Sequence, residues 1–580
     1  MTSVKIFFDG GCPFCSRYVE ILRLRRSIGK VELVNLRHDA ALRDELRSKG
    51  FDLNQGMVVE IDGRRLGGAD AANALAILST PSDLFNRLNR LLLSVPALAA
   101  IIYPILRSGR WISLFLMGRK GIDEKEEGPH STQILFSFLF SMFSLFHVFN
   151  YAFAYGRYPP QADLVAVFVA AVILLMRPQS SRALFLLMLA SLISTIAQAP
   201  AQSNHTMLRT MVIIGYWLSF LYAFLRGSGQ SDIFGNFILA GRGGLLIMYV
   251  FGIFHKINSD FLNPNFSCAV TLWRAMPSPL NKLEGPLIDY STIYGTFVVE
   301  AVIVLALLIP RTRYLGMVFG ILFHLLLALS DYAAYLAFTT LSISLHVLFL
   351  DSANSRKIMQ SPEMVAIRSR IRHPLYMLAV LILLIVGALL MMRNAFALST
   401  LFLLPFVLPL CFLIMRYGRR ERGREESPYG LPAYTIGVVV AGLYFANGFM
   451  PYLGLKTAQS INMFSNLRLE AGVSNHLIFR DPPGPFRYLE NVAVIEDAGG
   501  SAFLSWYQNT GFAIVYYDLL AHLAENPELV VSFELNGRQF SSVGSADFRD
   551  DIERTLHPRW VRKWFHFLPV QLERPEPCSI

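Results

Sequence analysis

The stretch Val4-Lys5-Ile6-Phe7-Phe8-Asp9-Gly10-Gly11-Cys12-Pro13-Phe14-Cys15 decides how the amino end folds. Its first five residues are an apolar run that reads as a strand, and the segment after Cys15 reads as an amphipathic basic helix. A C-x-x-C placed where a strand gives way to a helix is the arrangement of thiol–disulfide exchange. The unsatisfied N–H groups and positive dipole end of such a helix stabilise a thiolate on the first cysteine. Cys12 is therefore the expected nucleophile, with Pro13 pre-set for the first helical turn, and Cys15 the expected resolving thiol. Asp9 stands where it can tune their protonation. A zinc site would need a second Cys/His pair at ligand spacing, which His38 alone does not supply, so no metal is expected. The remaining reading is two buried cysteines that simply pack.

Outward from this turn, Val31-Glu32-Leu33-Val34-Asn35-Leu36 is a second strand and a charged helix runs from about Asp39 to Lys49. Met57 to Ile61 and Arg64 to Leu66 flank Asp62-Gly63 as a hairpin. Gly67-Gly68-Ala69-Asp70 then opens an alanine-rich helix. This order predicts a thioredoxin-like α/β domain over residues 1–122. Residues 84–118 are apolar but carry Arg87, Arg90, Arg107 and Arg110, which predicts helices lying on a membrane or packed against the next region.

Across the 580 residues, 53% are hydrophobic and only 16% charged, and mean hydropathy is +0.43. Soluble domains carry about 25% charged residues, so much of this chain is expected to face lipid. The net charge of +10 argues for contact with anionic membrane lipid rather than nucleic acid, because Lys and Arg cluster in short connections between apolar runs. A polytopic all-α region is predicted over 131–452, with candidate spans at 131–153, 162–177, 181–199, 207–225, 234–255, 291–310, 314–330, 332–350, 374–392, 396–415 and 434–452. Allowing for short segments, that is roughly nine to eleven crossings. The basic residues then place the amino end in the cytoplasm of a plasma (inner) membrane. Arg177, Arg182, Arg226, Arg311, Arg313, Arg356, Lys357 and the arginines of 368–372 and 416–424 fall inside, against only Arg157, Arg274, Lys282 and Arg393 outside. Residues 456–580 read as a small, mixed, β-rich extracytoplasmic domain with a hairpin turn at Asn536-Gly537. Cys268 and Cys578 both fall outside, where pairing is open to them, and Cys411 falls within a span.

The amino-terminal motifs resemble the DCC family of thiol–disulfide oxidoreductases. The residues concerned are FFDGGCPFC (7–15) with SRYV after it, LGGADAANAL (66–75) and PALAAIIYP (96–104). Asp9, Cys12 and Cys15 match the family's D-x-x-C-x-x-C. The resemblance implies a dithiol that needs no cofactor and exchanges with a partner protein or small thiol. Gln55-Gly56 stands before the Met57 strand where thioredoxins carry a proline.

Ionisable residues inside spans are costly and mark function. Here they are His255-Lys256 at the end of one span, Glu300 in the middle of another, and His324 and His346 further on. In isolation Lys256 would snorkel to the interface, and a lone buried His is usually just hydrogen-bonded. Gly252 through Phe261, Glu300 with Pro310-Arg311-Thr312-Arg313, Phe323-His324 and MFSNLRLEAGVSNHLIF (463–479) together resemble the HTTM region shared with vitamin K-dependent γ-carboxylases. The resemblance implies a quinone or naphthoquinone site, with Lys256 as a base whose pKa is lowered by desolvation or a nearby cation, and with His255, Glu300 and His324 around the cofactor. It departs from the family at His255, Asn258 and Phe261. The sequence thus predicts a membrane-bound thiol–disulfide oxidoreductase fused to a carboxylase-like membrane domain. The alternative is a transporter or exported-peptide maturation factor whose amino-terminal domain is a redox regulator.

Overall fold

The computed structural model describes the chain outside residues 1–2, 13–14, 17, 19–30, 54–55, 81–83, 118, 120–121, 123–130, 155–160, 200–202, 227–229, 331, 333–334, 372–373, 394, 420–428, 482–483, 573–577 and 579–580. The basic helix expected after Cys15 falls largely outside the described residues, as do Pro13, Arg157 and part of the 416–424 arginine run.

At the amino end, β1 (Val4–Phe8) is the second strand of a sheet ordered β2-β1-β3-β4. It runs parallel to β2 (Val31–Asn35), with Val4 opposite Val31, and antiparallel to β3 (Val58–Ile61), with Ile6 opposite Val59. β4 (Arg64–Gly67) returns through Asp62 and Gly63. Both have positive φ (49° and 85°), as a two-residue hairpin turn requires. Val4, Ile6 and Val59 pack with Ala71 and Leu75 on one face, while Phe7 and Val58 meet Leu36 and Leu46 on the other. The period-2 pattern of β1 thus has a buried destination on both sides. α1 (Ala40–Ser48) is capped by Asp39, and α2 (Gly68–Leu78) follows β4. Among the described residues, the other expected strands and helices of this unit are present within a residue or two.

α3 (Leu84–Leu93) and α4 (Pro96–Met117) meet at a 116° bend. α4 is the link to the rest of the chain. Trp111 packs edge-on to Phe220 and Phe224, Phe115 packs on Phe185, and Arg107 donates to the Leu225 carbonyl at 2.5 Å. Of the region 84–118, α4 packs against the helical body, while α3 leaves Leu84, Leu88 and Leu91 exposed.

That body consists of α5 (Ser131–Phe149), α6 (Ala162–Met176), α7 (Ser181–Gln198), α8 (Asn204–Arg226), α9 (Gln230–His255), the short α10 (Cys268–Arg274), α11 (Pro286–Leu308), α12 (Arg313–Leu327), α13 (Tyr335–His346), α14 (Ser352–Gln360), α15 (Pro362–Ile371), α16 (Pro374–Met392), α17 (Phe396–Leu401), α18 (Leu404–Tyr417) and α19 (Leu431–Phe449). Among the described residues six helices are long and apolar enough to cross a membrane, or eight if each sharply bent pair is one span, which is consistent with a multi-pass membrane protein. This is fewer than the nine to eleven crossings expected. The 332–350 candidate turns by 109° into α14, the 396–415 candidate breaks into α17 and α18, and the segments at 162–177 and 314–330 form helices of only 15 residues each. Hydropathy sees the apolar run, but not where its helix ends or breaks.

Beyond α19, residues 455–479 fold back over one end of the body. Asn204 Oδ1 accepts from the Ile461 N–H, Asn258 donates to the Ser465 carbonyl, and Asn447 donates to the Gln459 carbonyl. A four-stranded sheet follows, ordered β6 (Ile514–Val515), β5 (Val492–Asp497), β7 (Val531–Leu535), β8 (Arg538–Val543). Asn536 and Gly537 form its hairpin turn, both at positive φ. Helices Ala502–Thr510 (α20) and Tyr516–Glu525 (α21) cover it. The strand expected from Tyr488 begins at Val492. Cys578 is disulfide-bonded to Cys268 at the start of α10. The two small units thus contact opposite ends of α8, the amino-terminal one at Phe220–Leu225 and the 455–479 fold-back at Asn204.

A methyl group added at Gly316 would meet the backbone of Leu307 and Ala306 at 2.8 to 3.0 Å, whereas Gly442 faces nothing within 4 Å. Gly316→Ala is expected to destabilise the purified protein by about 1–3 kcal/mol, because backbone cannot yield. Gly442→Ala should leave its thermal midpoint unchanged or raise it, since alanine is the better helix former.

Candidate functional site

The Cys12 turn is built by Asp9. Its carbonyl accepts from the Cys12 N–H at 3.0 Å, and its Oδ1 accepts from the Gly11 N–H at 2.9 Å. Gly10 and Gly11 are required by close approach, since a Cβ at either would lie 2.2 Å from the side chain of Asn35 or Arg37. The Cys15 N–H points at Cys12 Sγ at 3.3 Å, and both thiols are free. Both are also buried, at 0% and 7% exposure, with Leu114 of α4 and Phe8 packed on them.

Sequence reasoning identified Asp9 but missed what holds it. Arg37 donates to Asp9 Oδ1 at 2.6 Å, and Arg110, reaching in from α4, donates to Oδ2 at 2.7 Å. Arg119 adds a bond to the Gly11 carbonyl at 3.0 Å. Burial alone would raise the Asp9 pKa. The Arg37 hydrogen bond, the Arg110 and Arg37 charges and the Gly11 N–H outweigh it and hold the carboxyl below its ordinary range. The Cys15 side chain hydrogen-bonds the Cys12 sulfur. Against burial, and with the Cys15 N–H and Arg110, it brings the Cys12 thiol down to about 7. The same hydrogen bond, burial and the Cys12 charge push Cys15 upward. One sulfur is poised as thiolate and the other holds its proton, which is the asymmetry that exchange chemistry needs. The signal for Arg110 was present in the sequence as an arginine inside an apolar helix, where it reads equally well as a snorkelling side chain.

Residues 6–112, which contain Asp9, both cysteines, Arg37 and Arg110, match the family model of DCC1-like thiol-disulfide oxidoreductases. The match covers a minor part of the chain and supports a redox role for its amino-terminal α/β unit. No curated protein and no solved structure is a match to this chain.

The polar residues of the helical body converge at the other end of α8. Lys256, Glu300 and His324 all line one cavity of about 400 Å³, closed on one side by Ile461, Met463 and Phe464 of the fold-back. Lys256 Nζ donates to Glu300 Oε1 at 2.5 Å and lies 5.8 Å from the Phe261 ring centroid. Of the two expected causes, desolvation or a nearby cation, burial is present, but the group in contact with Lys256 is a carboxylate. His346 Nδ1 lies 2.8 Å from the Ser342 carbonyl and must donate to it, so its Nε2 accepts from the Tyr249 hydroxyl at 3.2 Å. Tyr249 oxygen then accepts from His324 Nε2–H at 2.8 Å. This chain leaves His324 Nδ1 as a bare acceptor. It and Glu300 Oε2 are buried without a hydrogen-bond partner.

His255 does not join them. Its Nε2–H donates to the Ser460 carbonyl at 2.9 Å and its Nδ1 accepts from Tyr452 at 2.8 Å. Both ring nitrogens are committed to anchoring the fold-back, so the expectation that His255 faces a cofactor is not met.

The pH dependence of Cys12 alkylation in the full-length protein is expected to have its midpoint near 7. Cys15→Ala removes the thiol that hydrogen-bonds the Cys12 sulfur and should move the midpoint up toward the ordinary thiol value of about 8.5. A midpoint indifferent to that substitution would contradict the assignment.

Proposed function

We propose that the chain is a membrane-bound thiol–disulfide oxidoreductase in which Cys12 attacks a substrate disulfide and Cys15 resolves the product. The observation that carries the reading is the Cys15 N–H and thiol aimed at Cys12 Sγ, within a segment matching an oxidoreductase family. Cys12 thiolate forms a bond to one substrate sulfur as the substrate S–S bond breaks and its other thiolate leaves. Cys15 then loses its proton, bonds to Cys12 and releases the second thiolate. Two electrons pass to the substrate and the protein is left as the disulfide. Asp9, through Arg37 and Arg110, is a positioning residue.

The helical body is proposed to lie in the plasma (inner) membrane, with the amino-terminal unit in the cytoplasm and the carboxy-terminal one outside. The arginine asymmetry of the loops, the attachment of the two units to opposite ends of α8, and a disulfide on the carboxy-terminal side support that orientation. The cavity is proposed to take a quinone. Its volume lies in the range of small-molecule sites, and the two unpartnered acceptors, Glu300 Oε2 and His324 Nδ1, suit a ligand presenting O–H groups. A bound quinone supplies two-electron, two-proton chemistry. Lys256 and Glu300 would hold or move a proton across their 2.5 Å contact, while Tyr249 and His346 fix the His324 ring.

The two sites lie near opposite ends of α8, and the roughly 20 residues between Asn204 and Phe224 span about 30 Å. A headgroup in the cavity cannot touch the sulfurs, so coupling between the sites is expected to run through helix packing at α4 and α8.

Full-length protein should reduce a model disulfide, Cys12→Ser should abolish turnover, and Cys15→Ala should accumulate a mixed disulfide seen as an added mass. Turnover surviving Cys12→Ser would overturn the first proposal. Solvent extracts of the wild type should contain a quinone by mass spectrometry, and those of Lys256→Ala should lose most of it. Extracts free of quinone would sink the cavity reading and leave the dithiol untouched.

A further inference from the structure

The α5–α8 quarter of the body holds a second set of buried polar groups, separate from the dithiol and not among the residues that line the cavity. Arg209 of α8 is 1% exposed. Its Nη1 donates to His147 Nε2 at 2.5 Å and its Nη2 to Thr195 Oγ1 at 3.0 Å. Nε has no hydrogen-bond partner, and among the described residues Arg209 makes no ion pair. Asp163, the carboxylate of this quarter, is within electrostatic range but spends its Oδ2 on Ser194 and Gln198, both at 2.8 Å.

The neighbouring groups are unfilled in the same way. Because His147 Nε2 accepts from Arg209, the ring proton sits on Nδ1, and Nδ1 has no partner. Asn150, fully buried where α5 passes into a π-helical turn over Asn150–Ala154, has a partner for neither amide atom. Gln198 Oε1 and Asn150 Oδ1 also lack a partner, but as acceptors they are not groups an anion would satisfy. Buried polar atoms are almost always paired, and a buried guanidinium with no carboxylate against it is among the costliest arrangements in an apolar body. π-helical turns in turn recur at functional sites.

We propose that this quarter binds a small monovalent anion, a halide or a short carboxylate, which accepts from Arg209 Nε, His147 Nδ1 and the Asn150 amide. Asp163 and Ser203 are part-exposed. They place the site near the end of the body where α5 and α7 finish and α6 and α8 begin, so the ion enters from that end. Arg209 is the charge that selects an anion, and the neutral amide and imidazole donors adapt to its size. The site stands independently of the quinone and dithiol readings.

The test uses full-length protein in detergent with gluconate as the only anion, titrated with sodium chloride or with sodium formate while thermal unfolding is followed. A saturable rise in midpoint with either salt is expected, and the apparent affinity should fall at least about tenfold in Arg209→Gln, as loss of a charged hydrogen bond implies. Arg209→Lys, which keeps the charge, should retain part of the response. A response to chloride alone assigns a halide and a response to formate alone a carboxylate, and either upholds the proposal. Crystals of the wild type soaked in bromide give a check that needs no variant to fold, with an anomalous peak expected within hydrogen-bond reach of Arg209 Nε. No saturable effect of either anion, or a bromide peak only elsewhere, would overturn it.

Discussion

The carboxylate of Asp9, held between Arg37 and Arg110, is the interaction on which the rest of the molecule depends. Through its backbone carbonyl and Oδ1 it shapes the Cys12 turn, and through Arg110 it fastens α4 over that turn. Removing one partner of a buried ion pair costs about 3–5 kcal/mol, so the turn and the helix stand or fall together. On an adjoining face of α4, Trp111 and Phe115 are packed into α7 and α8. One helix therefore sets the charge around the thiols, covers them and ties them to the helical body. Substrate access consequently requires α4 or its neighbours to move, so the population of an opened state is expected to scale the exchange rate while Cys12 ionisation sets its pH dependence.

The far end of the body is organised on a similar plan with different chemistry. Residues 455–479 fold back with most polar side chains buried, and several non-glycine residues sit at positive φ, among them Ile461 and Phe464. A β-branched residue in the left-handed region is a strained conformation. Asparagines 204, 258 and 447 hold it in place by bonding to backbone, and Phe464 stacks on Tyr335 at 4.8 Å. The strain is maintained where the segment forms one wall of the Lys256–Glu300 cavity, and the Cys268–Cys578 disulfide pins α10, another wall, to the chain end.

Much of this was legible in the sequence where the signal is local. The strand before Cys12 and the Asp62-Gly63 and Asn536-Gly537 turns follow from spacing and residue type, whereas the grouping of Lys256, Glu300 and His324 rested on a family resemblance. What was not legible depends on approach between distant segments. Arg37 and Arg110 reach Asp9 from 28 and 101 residues away. His255 carries the same side chain whether it faces a ligand or a carbonyl, and only Ser460 and Tyr452, some 200 positions on, decide it. The bend after α13 and the break between α17 and α18 leave composition unchanged, so hydropathy counted spans that the backbone does not complete. The setting of Arg209 is likewise decided by His147 and Thr195, which reach it from two other helices.

Hydrogen exchange along α4, read by mass spectrometry for the wild type, Asp9→Asn, Arg110→Gln and the double variant, tests the central claim most directly. If Asp9 and Arg110 act as one fastening, each single change lowers protection over residues 107–117 by a similar amount and the double change adds almost nothing. Additive losses, or protection that ignores both substitutions, would contradict the account.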